Sequence, residues 1–169
     1  GDKRMVGIPV DAITPCLRDR ETGAILQTSV DAIVPKRDDF KKWNFDWSIP
    51  VRENYDVYAL RIQNDPQIQC MIALKPETAN RAVHIDIVES PPHNFGSHGK
   101  FEGVGAHLFA FACKVADDHG FDYIYFDAKT SLISYYKEKL GAQRLGKSQR
   151  MLIEDEAFRR LLNAYYGGG

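Results

Sequence analysis

The stretch HGKFEGVGAHLFAFACKVADDHGF, residues 98–121, begins as a glycine-punctuated loop and continues as a helix pattern. Residues spaced i, i+4, i+7 and i+11 form one apolar face of a helix, and here they are Val104, Leu108, Phe111 and Val115. Gly120 is a typical residue at the end of a helix. The stretch therefore predicts a helix from about Gly103 to His119.

Gly103 and Gly105 stand where this loop becomes the helix. The first N–H groups of a helix have no partner within it, and the aligned peptide dipoles place positive charge at that end. A phosphate satisfies both, and glycine lets it approach the backbone closely. The amides of residues 101–106 are therefore a candidate phosphate cradle. The alternative that the motif leaves open is a plain helix start without a ligand.

The segments on either side of this helix have the composition of strands. AVHIDIVES (82–90) precedes it, and FDYIYFDA (121–128) follows it as a near-continuous apolar run, which is typical of a strand covered on both faces. Because a helical crossover joins them, they are predicted to be parallel neighbours. Ligands of open α/β sheets bind at the carboxyl ends of strands, where the cradle would lie.

Turn residues and hydrophobic periods predict the remaining elements. Upstream we expect a hairpin of AITPCLRD and AILQTSVDAI (12–19 and 24–33), a short helix over 36–44, and strands over 57–63 and 68–75. Downstream we expect a helix over 131–141, a hairpin of QRLG and RMLI (143–146 and 150–153), and a helix over 154–166. This order predicts one α/β domain over residues 1–169.

Composition and charge exclude several classes of protein. Hydrophobic residues make up 44% and charged residues 27% of the chain, which are globular proportions. The net charge of −1 gives no whole-chain attraction to nucleic acid or acidic membranes, so neither partner is expected. No apolar run approaches the roughly 20 residues of a membrane helix, and GDKRMVGIPV lacks the apolar centre of a signal peptide. A cytoplasmic protein is the expectation.

The cysteines and histidines predict no metal site. Cys16, Cys70 and Cys113 are odd in number and far apart, which argues against a disulfide framework and a zinc site. Cys113 lies within the helix pattern and is interpreted as a buried structural thiol. The histidines show no HxxxH or HExxH spacing on one helix. His107, in the first helical turn, is expected at the surface or near the phosphates.

Three quoted segments together resemble the GNAT superfamily of acetyl-CoA-dependent N-acetyltransferases: strand 82–90 with KFEGVGA (100–106), strand 121–128, and SYYKEKLGA (134–142). The family signature is Gln/Arg-x-x-Gly-x-Gly/Ala, in which Lys100 takes the first position as a charged donor. The resemblance covers roughly residues 54–153, and the first 50 residues stay weakly assigned. It implies a mixed, mostly antiparallel α+β sheet, with strands 82–90 and 121–128 splayed around the cofactor and helices on both faces.

The resemblance also implies a site that uses acetyl-CoA (coenzyme A) as co-substrate. Its cofactor-binding residues would be Val88, Lys100, Phe101, Glu102, Gly103, Val104, Gly105, Ala106 and Lys129. A small-molecule or peptide amine would attack the thioester directly, and a backbone N–H near Val88 or Glu89 would stabilise the oxyanion. Tyr136, with Tyr135 as the second candidate, would protonate the leaving thiolate.

Strand 82–90 offers the candidates for the base. Glu89 is the first choice because it lies near the carboxyl end, and Asp86 is the alternative. Strict alternation places His84 and Asp86 on one face and Val83, Ile85, Ile87 and Glu89 on the other. His84 and Asp86 would then be either a satisfied structural pair or part of the acceptor site. His93 and His98 lie in the long loop 90–99, which could shape that site.

Several alternatives stay open at this point. Phe40, Trp43, Phe45 and Trp47 would form either a cluster that caps the core or an acyl pocket. The protein could be a CoA-thioester-binding module without catalysis, or an N-acyltransferase that uses a different acyl-CoA. A toxin-type acetyltransferase acting on charged tRNA would need a basic groove, which the balanced charge does not favour. A homodimer is possible because sheet edges are often paired.

Overall fold

The computed structural model describes residues 4–11, 13, 16–36, 40–91 and 100–167. The main sheet has seven strands in the order β3-β4-β5-β6-β8-β10-β9. They are β3 Thr28–Ile33, β4 Asp56–Ile62, β5 Ile68–Glu77, β6 Ala82–Glu89, β8 Tyr123–Asp127, β9 Gln143–Arg144 and β10 Arg150–Glu154. A small sheet contains three strands, which lie in the order β2 (Ile25–Leu26), β1 (Leu17–Asp19) and β7 (Phe101–Glu102).

The α-helices of the described residues are α1 Ser48–Arg52, α2 Val104–Asp118, α3 Ile133–Leu140 and α4 Asp155–Tyr166. A 3-10 turn, Thr130–Leu132, leads into α3. The long helix, the mixed sheet and the final hairpin are confirmed. Every pairing in the main sheet is antiparallel except that of β6 with β8.

The pairing of β6 with β8 is short. It joins Ala82–His84 to Tyr123–Tyr125 in parallel, which confirms the predicted neighbours. Beyond this ladder β6 continues to Glu89 and β8 to Asp127 without pairing to each other. The two strands therefore separate toward their carboxyl ends, and α2 begins beside the opening.

Two apolar clusters cover the two faces of the sheet. The larger contains Leu60, Ile72 and Leu74 of the strands together with residues of α2, α3 and α4. The smaller contains Val57 and Ala73 and is closed by Trp47, Met71, Ala59 and Ile87. Phe40, Trp43 and Phe45 pack against this smaller cluster, so the aromatic segment caps the core.

A β-bulge on β6 overturns the predicted alternation. Ala73 pairs with Ile87 and Leu74 pairs with Ile85, so Asp86 is an extra residue on β6. Val83 and Ile85 belong to the larger cluster, whereas Ile87 belongs to the smaller one. Glu89 lies on the same face as Ile87, since its carboxylate accepts from the indole N–H of Trp47, a member of the smaller cluster. Placing Ile87 and Glu89 on the face of Val83 and Ile85 was therefore wrong.

Two upstream predictions were also wrong. Residues 40–44 form turns rather than part of a helix over 36–44, because the N–H groups of Asn44 and Phe45 donate to Glu89 instead of to carbonyls of a helical turn. The single strand predicted over 24–33 divides at Gln27. Ile25–Leu26 pairs with β1 in the small sheet, as the hairpin prediction required, whereas Thr28–Ile33 pairs with β4 in the main sheet.

His107 corrects a further expectation, because it is buried rather than near the surface. Its side chain is 3% exposed, its Nε2 lies 2.7 Å from the Thr28 hydroxyl oxygen, and its ring packs on Tyr165 at 4.7 Å. Helix α4 carries Tyr165 and covers this side of α2. Desolvation by burial lowers the pKa of His107 to about 4.

We expect His107 to make folding stability depend on pH. Its pKa rises from about 4 in the folded chain to 6.5 in the unfolded chain, so the unfolded chain binds more protons between these values. The contribution of neutral His107 is complete above about pH 6.5 and is lost as the pH falls toward about 4. In urea unfolding at several pH values, the wild type should lose more stability over this window than His107→Gln. Parallel stability curves would contradict this assignment.

Candidate functional site

The opening between β6 and β8 is occupied by residues 4–11, here named the N-terminal strap. Val6 forms a parallel bridge to Ala128. Its N–H donates to the Asp127 carbonyl at 2.7 Å, and the Lys129 N–H donates to the Val6 carbonyl at 3.1 Å. The strap therefore extends the edge that β8 leaves unpaired and lies on the side of β8 that faces β6.

The strap alternates like a strand. Val6, Ile8 and Val10 are buried in the larger apolar cluster. Burial of three aliphatic side chains stabilises the docked strap by roughly 4 to 9 kcal/mol. The odd-numbered residues Met5, Gly7, Pro9 and Asp11 line an open cleft. One side of the strap thus completes the core, and the other forms a wall of the cleft.

Tyr135 and Tyr136 both bond the strap backbone. The Tyr136 hydroxyl donates to the Ile8 carbonyl at 2.6 Å, and the Tyr135 hydroxyl donates to the Val10 carbonyl at 2.5 Å. Tyr135 also accepts from the Val10 N–H at 2.6 Å. Tyr136 is fully buried and its ring lies near those of Phe109 and Phe126, and desolvation raises its pKa. Tyr135 is half-buried and lines the cleft.

The cleft has a volume of about 280 Å³ and lies between the strap, the end of β6 and the start of α2. It brings together many of the residues that the sequence singled out: Val88, Glu89, Phe101, Val104, Gly105, Lys129 and Tyr135. Lys100 lies over the Phe101 ring, 5.4 Å from its centroid, and Glu102 forms ion pairs with Arg18 and Arg20. Ala106 is fully buried in the core.

The start of α2 already holds an anionic group. Gly103 has a φ of +88°, and its N–H donates to the Asp11 carboxylate at 3.1 Å. Arg20 forms an ion pair with Asp11 and lies 3.7 Å from Glu102. A Cβ on Gly105 would lie 2.4 Å from the Pro9 carbonyl oxygen, so a side chain there would push the strap away. The Asp11 carboxylate thus lies at the position predicted for a phosphate and caps the start of α2.

Glu89 is tied into a hydrogen-bond network. Its carboxylate accepts from the Asn44 N–H at 2.6 Å, the Phe45 N–H at 3.2 Å and the Trp47 indole N–H at 2.9 Å. The side chain is 4% exposed. The first-choice base therefore anchors the segment that caps the smaller cluster, and most of its lone pairs are in use.

His84 and Asp86 do not pair with each other. Asp86 accepts from the Arg4 guanidinium at 2.7 Å, and Arg4 also forms an ion pair with Glu53. His84 Nδ1 lies 2.7 Å from the Tyr55 hydroxyl oxygen, and desolvation by burial lowers the pKa of His84. Each side chain thus has a partner within the fold, as the structural interpretation of the pair requires.

Arg4, Asp11 and Arg20 were missed by the sequence reasoning, which left the first 50 residues weakly assigned. The available signal was the apolar alternation of Val6, Ile8 and Val10, which is typical of a strand. His93, His98 and residues 92–99 of the long loop lie outside the described residues.

Among the described residues, no group of three or more His, Cys, Asp and Glu side chains could hold a metal ion. The helices of that same part of the chain are too short or too polar to cross a membrane. All three cysteines are free thiols, and the predicted burial of Cys113 is confirmed.

Comparison with known proteins gives matches in structure alone. No protein-family model matches the sequence, and no curated protein matches it. A Bacillus subtilis acetyltransferase solved with CoA matches with a TM-score of 0.52 at 14% identity, covering 75% of this chain and 95% of that chain. The AtaT–AtaR complex bound to DNA gives 0.58 at 15% identity, over 79% of this chain and 98% of that chain.

A third match is the spermidine/spermine N-acetyltransferase SpeG from Vibrio cholerae, with a TM-score of 0.53 at 11% identity over 79% of this chain and 97% of that chain. The chain has the GNAT fold. At identities of 11 to 15%, the structural similarity shows the fold and says nothing of a shared substrate. In this GNAT fold, β6 and β8 are the pair of strands that separate, and the strap lies in the gap.

We expect Glu89 to be a structural anchor of this fold. Glu89→Ala leaves three N–H donors without their acceptor and should lower the free energy of unfolding by about 2 to 3 kcal/mol. Glu89→Gln keeps one acceptor oxygen and should cost less. Urea unfolding measures both, with Glu21→Ala as a control at an exposed carboxylate. Equal stability of Glu89→Ala and Glu21→Ala would contradict the anchor.

Proposed function

We propose that the protein is an acetyl-CoA-dependent N-acetyltransferase in which a primary amine attacks the thioester directly. The observation that carries this proposal is the cleft where β6 and β8 separate beside an anion-binding helix start. The fold supports it, and neighbours solved with CoA or acetyl-CoA bound support acetyl-CoA as the co-substrate.

The residues of the cleft fit such a co-substrate. The Gly103 N–H already binds the Asp11 carboxylate, so this position accepts an anion, and the amides of Val104, Gly105 and Ala106 follow in the first turn. Arg20 Nε is buried and has no hydrogen-bond partner among the described residues, which leaves a donor for a phosphate oxygen. Lys129 adds positive charge to the cleft. When bound, acetyl-CoA supplies the acetyl thioester.

Val88 and Tyr135 take the chemical roles in this proposal. Val88 lines the cleft near the end of β6, where its backbone can pair with an extended ligand and its N–H can stabilise an oxyanion. We assign the proton donor to Tyr135 rather than Tyr136, because Tyr135 reaches the cleft whereas Tyr136 is sealed in the core.

The carboxylate candidates for the base differ in their partners. Glu89 serves three fixed donors of the capping segment, so its role in this proposal is to hold that segment. Asp86 is bound by Arg4, a residue of the strap. Asp86 does not line the cleft, so it stays the alternative base candidate of the sequence prediction.

A CoA-binding module without catalysis is the second candidate function. The observation that favours it is that Glu89, Tyr135 and Tyr136 are all bonded within the protein. Such a protein would bind acetyl-CoA and release no thiol. The small-molecule or peptide acceptor and a homodimer stay predictions. Nucleic acid is not part of the proposal, although one structural neighbour was solved in a complex bound to DNA.

Val104→Glu tests the cradle by adding a carboxylate in the first turn of α2, where Val104 lines the cleft. Calorimetry with acetyl-CoA and desulfo-CoA should show binding to the wild type and at least about tenfold weaker binding to the variant, since repulsion of about 1.4 kcal/mol gives this factor. NAD serves as the nucleotide control.

Val34→Glu controls for the added charge alone, because Val34 is 78% exposed and lies outside the cleft. It should bind acetyl-CoA like the wild type. No binding at millimolar acetyl-CoA by the wild type and by an Asp11→Ala variant would exclude the acetyltransferase proposal. Binding without thiol release across a panel of amines would favour the binding module.

Phenylalanine substitutions separate the two tyrosines. Tyr135→Phe should lower kcat about 100-fold, the range of a lost general acid, with little change in KM for acetyl-CoA. Tyr136→Phe should mainly lower the free energy of unfolding by about 1 kcal/mol through the lost bond to Ile8. Thiol-release kinetics and urea unfolding on both variants measure this, and a reversed pattern would assign the acid to Tyr136.

A further inference from the structure

The position of Asp11 at the start of α2 points to a further property of the cofactor site, and this property rests on the proposed function. We propose that Asp11 is an anionic gate on the phosphate cradle of α2, and that the rest of the strap is a fixed wall of the cofactor cleft. The gate is closed in this structure, because the Asp11 carboxylate bonds the Gly103 N–H and pairs with Arg20.

Opening of the gate would exchange one anion, the Asp11 carboxylate, for another, the pyrophosphate of the ligand. A pyrophosphate at the start of α2 would meet the Asp11 carboxylate, and like charges in one site repel each other. Arg20 lies between Asp11 and Glu102, and its buried Nε has no partner in the described part of the chain. When Asp11 turns away, the Arg20 guanidinium can therefore exchange its ion pair with the carboxylate for one with the phosphate, while the arginine side chain stays where it is.

The remainder of the strap is held too firmly to act as the gate. Val6, Ile8 and Val10 are between 1% and 5% exposed within the core. The free energy that these side chains gain by burial is comparable with the whole binding free energy of a micromolar ligand. A ligand that expelled the strap would keep almost none of its affinity. Asp11 is held less firmly than these three residues, since its side chain is 30% exposed and joins the rest of the protein through polar contacts.

Two close approaches shape this wall. The Pro9 carbonyl lies against Gly105, where a Cβ would be 2.4 Å away, so the strap reaches the helix backbone directly. The Lys129 side chain covers Gly7, where a Cβ would lie 2.8 Å from Lys129 Cδ. The strap therefore brings the Lys129 ammonium into the cleft, and with Asp11 withdrawn, Arg20 and Lys129 leave this end of the cleft positively charged.

Charge removal at residue 11 tests the gate. Asp11→Ala and Asp11→Asn are titrated with CoA and, separately, with inorganic pyrophosphate, beside the wild type. Both variants should bind both ligands at least about tenfold more tightly, because the fraction of molecules with an open cradle rises. Asp122→Ala is the matched control, since Asp122 pairs with Arg81 at the surface and should leave both affinities unchanged. Asn keeps the shape of the side chain, so Asp11→Asn still tests the gate if Asp11→Ala misfolds.

Amide hydrogen exchange tests the wall. The N–H groups of Val6 and Val10 are bonded to Asp127 and Tyr135, and they should stay protected when CoA saturates the protein. Loss of their protection on CoA binding would show that the whole strap leaves the gap, and would overturn the proposal that the strap is a fixed wall of the cleft.

The titrations also separate failure of the gate from failure of the proposed function. Equal CoA affinity in the wild type and in both Asp11 variants would overturn the gate and leave the acetyltransferase proposal intact. CoA binding by none of the proteins would overturn the acetyltransferase proposal. In that case tighter pyrophosphate binding by the Asp11 variants would still support the gate on an anion site, and unchanged pyrophosphate binding would overturn it.

Discussion

The separation of β6 from β8 after three paired residues is the constraint on which the site depends. Two parallel strands that part leave backbone N–H and C=O groups facing a gap, and buried groups of this kind need partners. The strap supplies them at Asp127 and Lys129, while its apolar side fills the core beneath. The cleft is what remains between this added edge and the end of β6.

The bulge at Asp86 is the second feature that shapes the site. By adding one residue to β6, it moves Val88 to the face of the larger cluster and Glu89 to the face of the aromatic segment. Glu89 can then accept from the N–H groups of Asn44 and Phe45, which holds the aromatic segment against the sheet. Core packing and the geometry of the cleft are thus coupled through one irregular pair of strands.

Local pattern identified much of the site for a physical reason. The helix Val104–Asp118 and its two flanking strands follow from short-range hydrophobic period and from glycine at the ends. Residues close in sequence to these elements, such as Val88, Gly105 and Tyr135, then had to meet at one edge of the sheet. The strap could not be placed in this way, because the hydrogen-bond partners of its backbone lie more than 100 residues away in the sequence.

The sequence by itself determined the main elements from β4 onward, the parallel pair and the glycines at the helix start, because these depend on propensity, period and chain connectivity. Tertiary structure alone decided that Tyr135 faces the cleft while Tyr136 is sealed in the core, and that Glu89 anchors a loop. It also placed the Asp11 carboxylate at the start of α2. These outcomes depend on a bulge and on contacts between distant segments, where burial of apolar side chains and satisfaction of backbone donors override local preference.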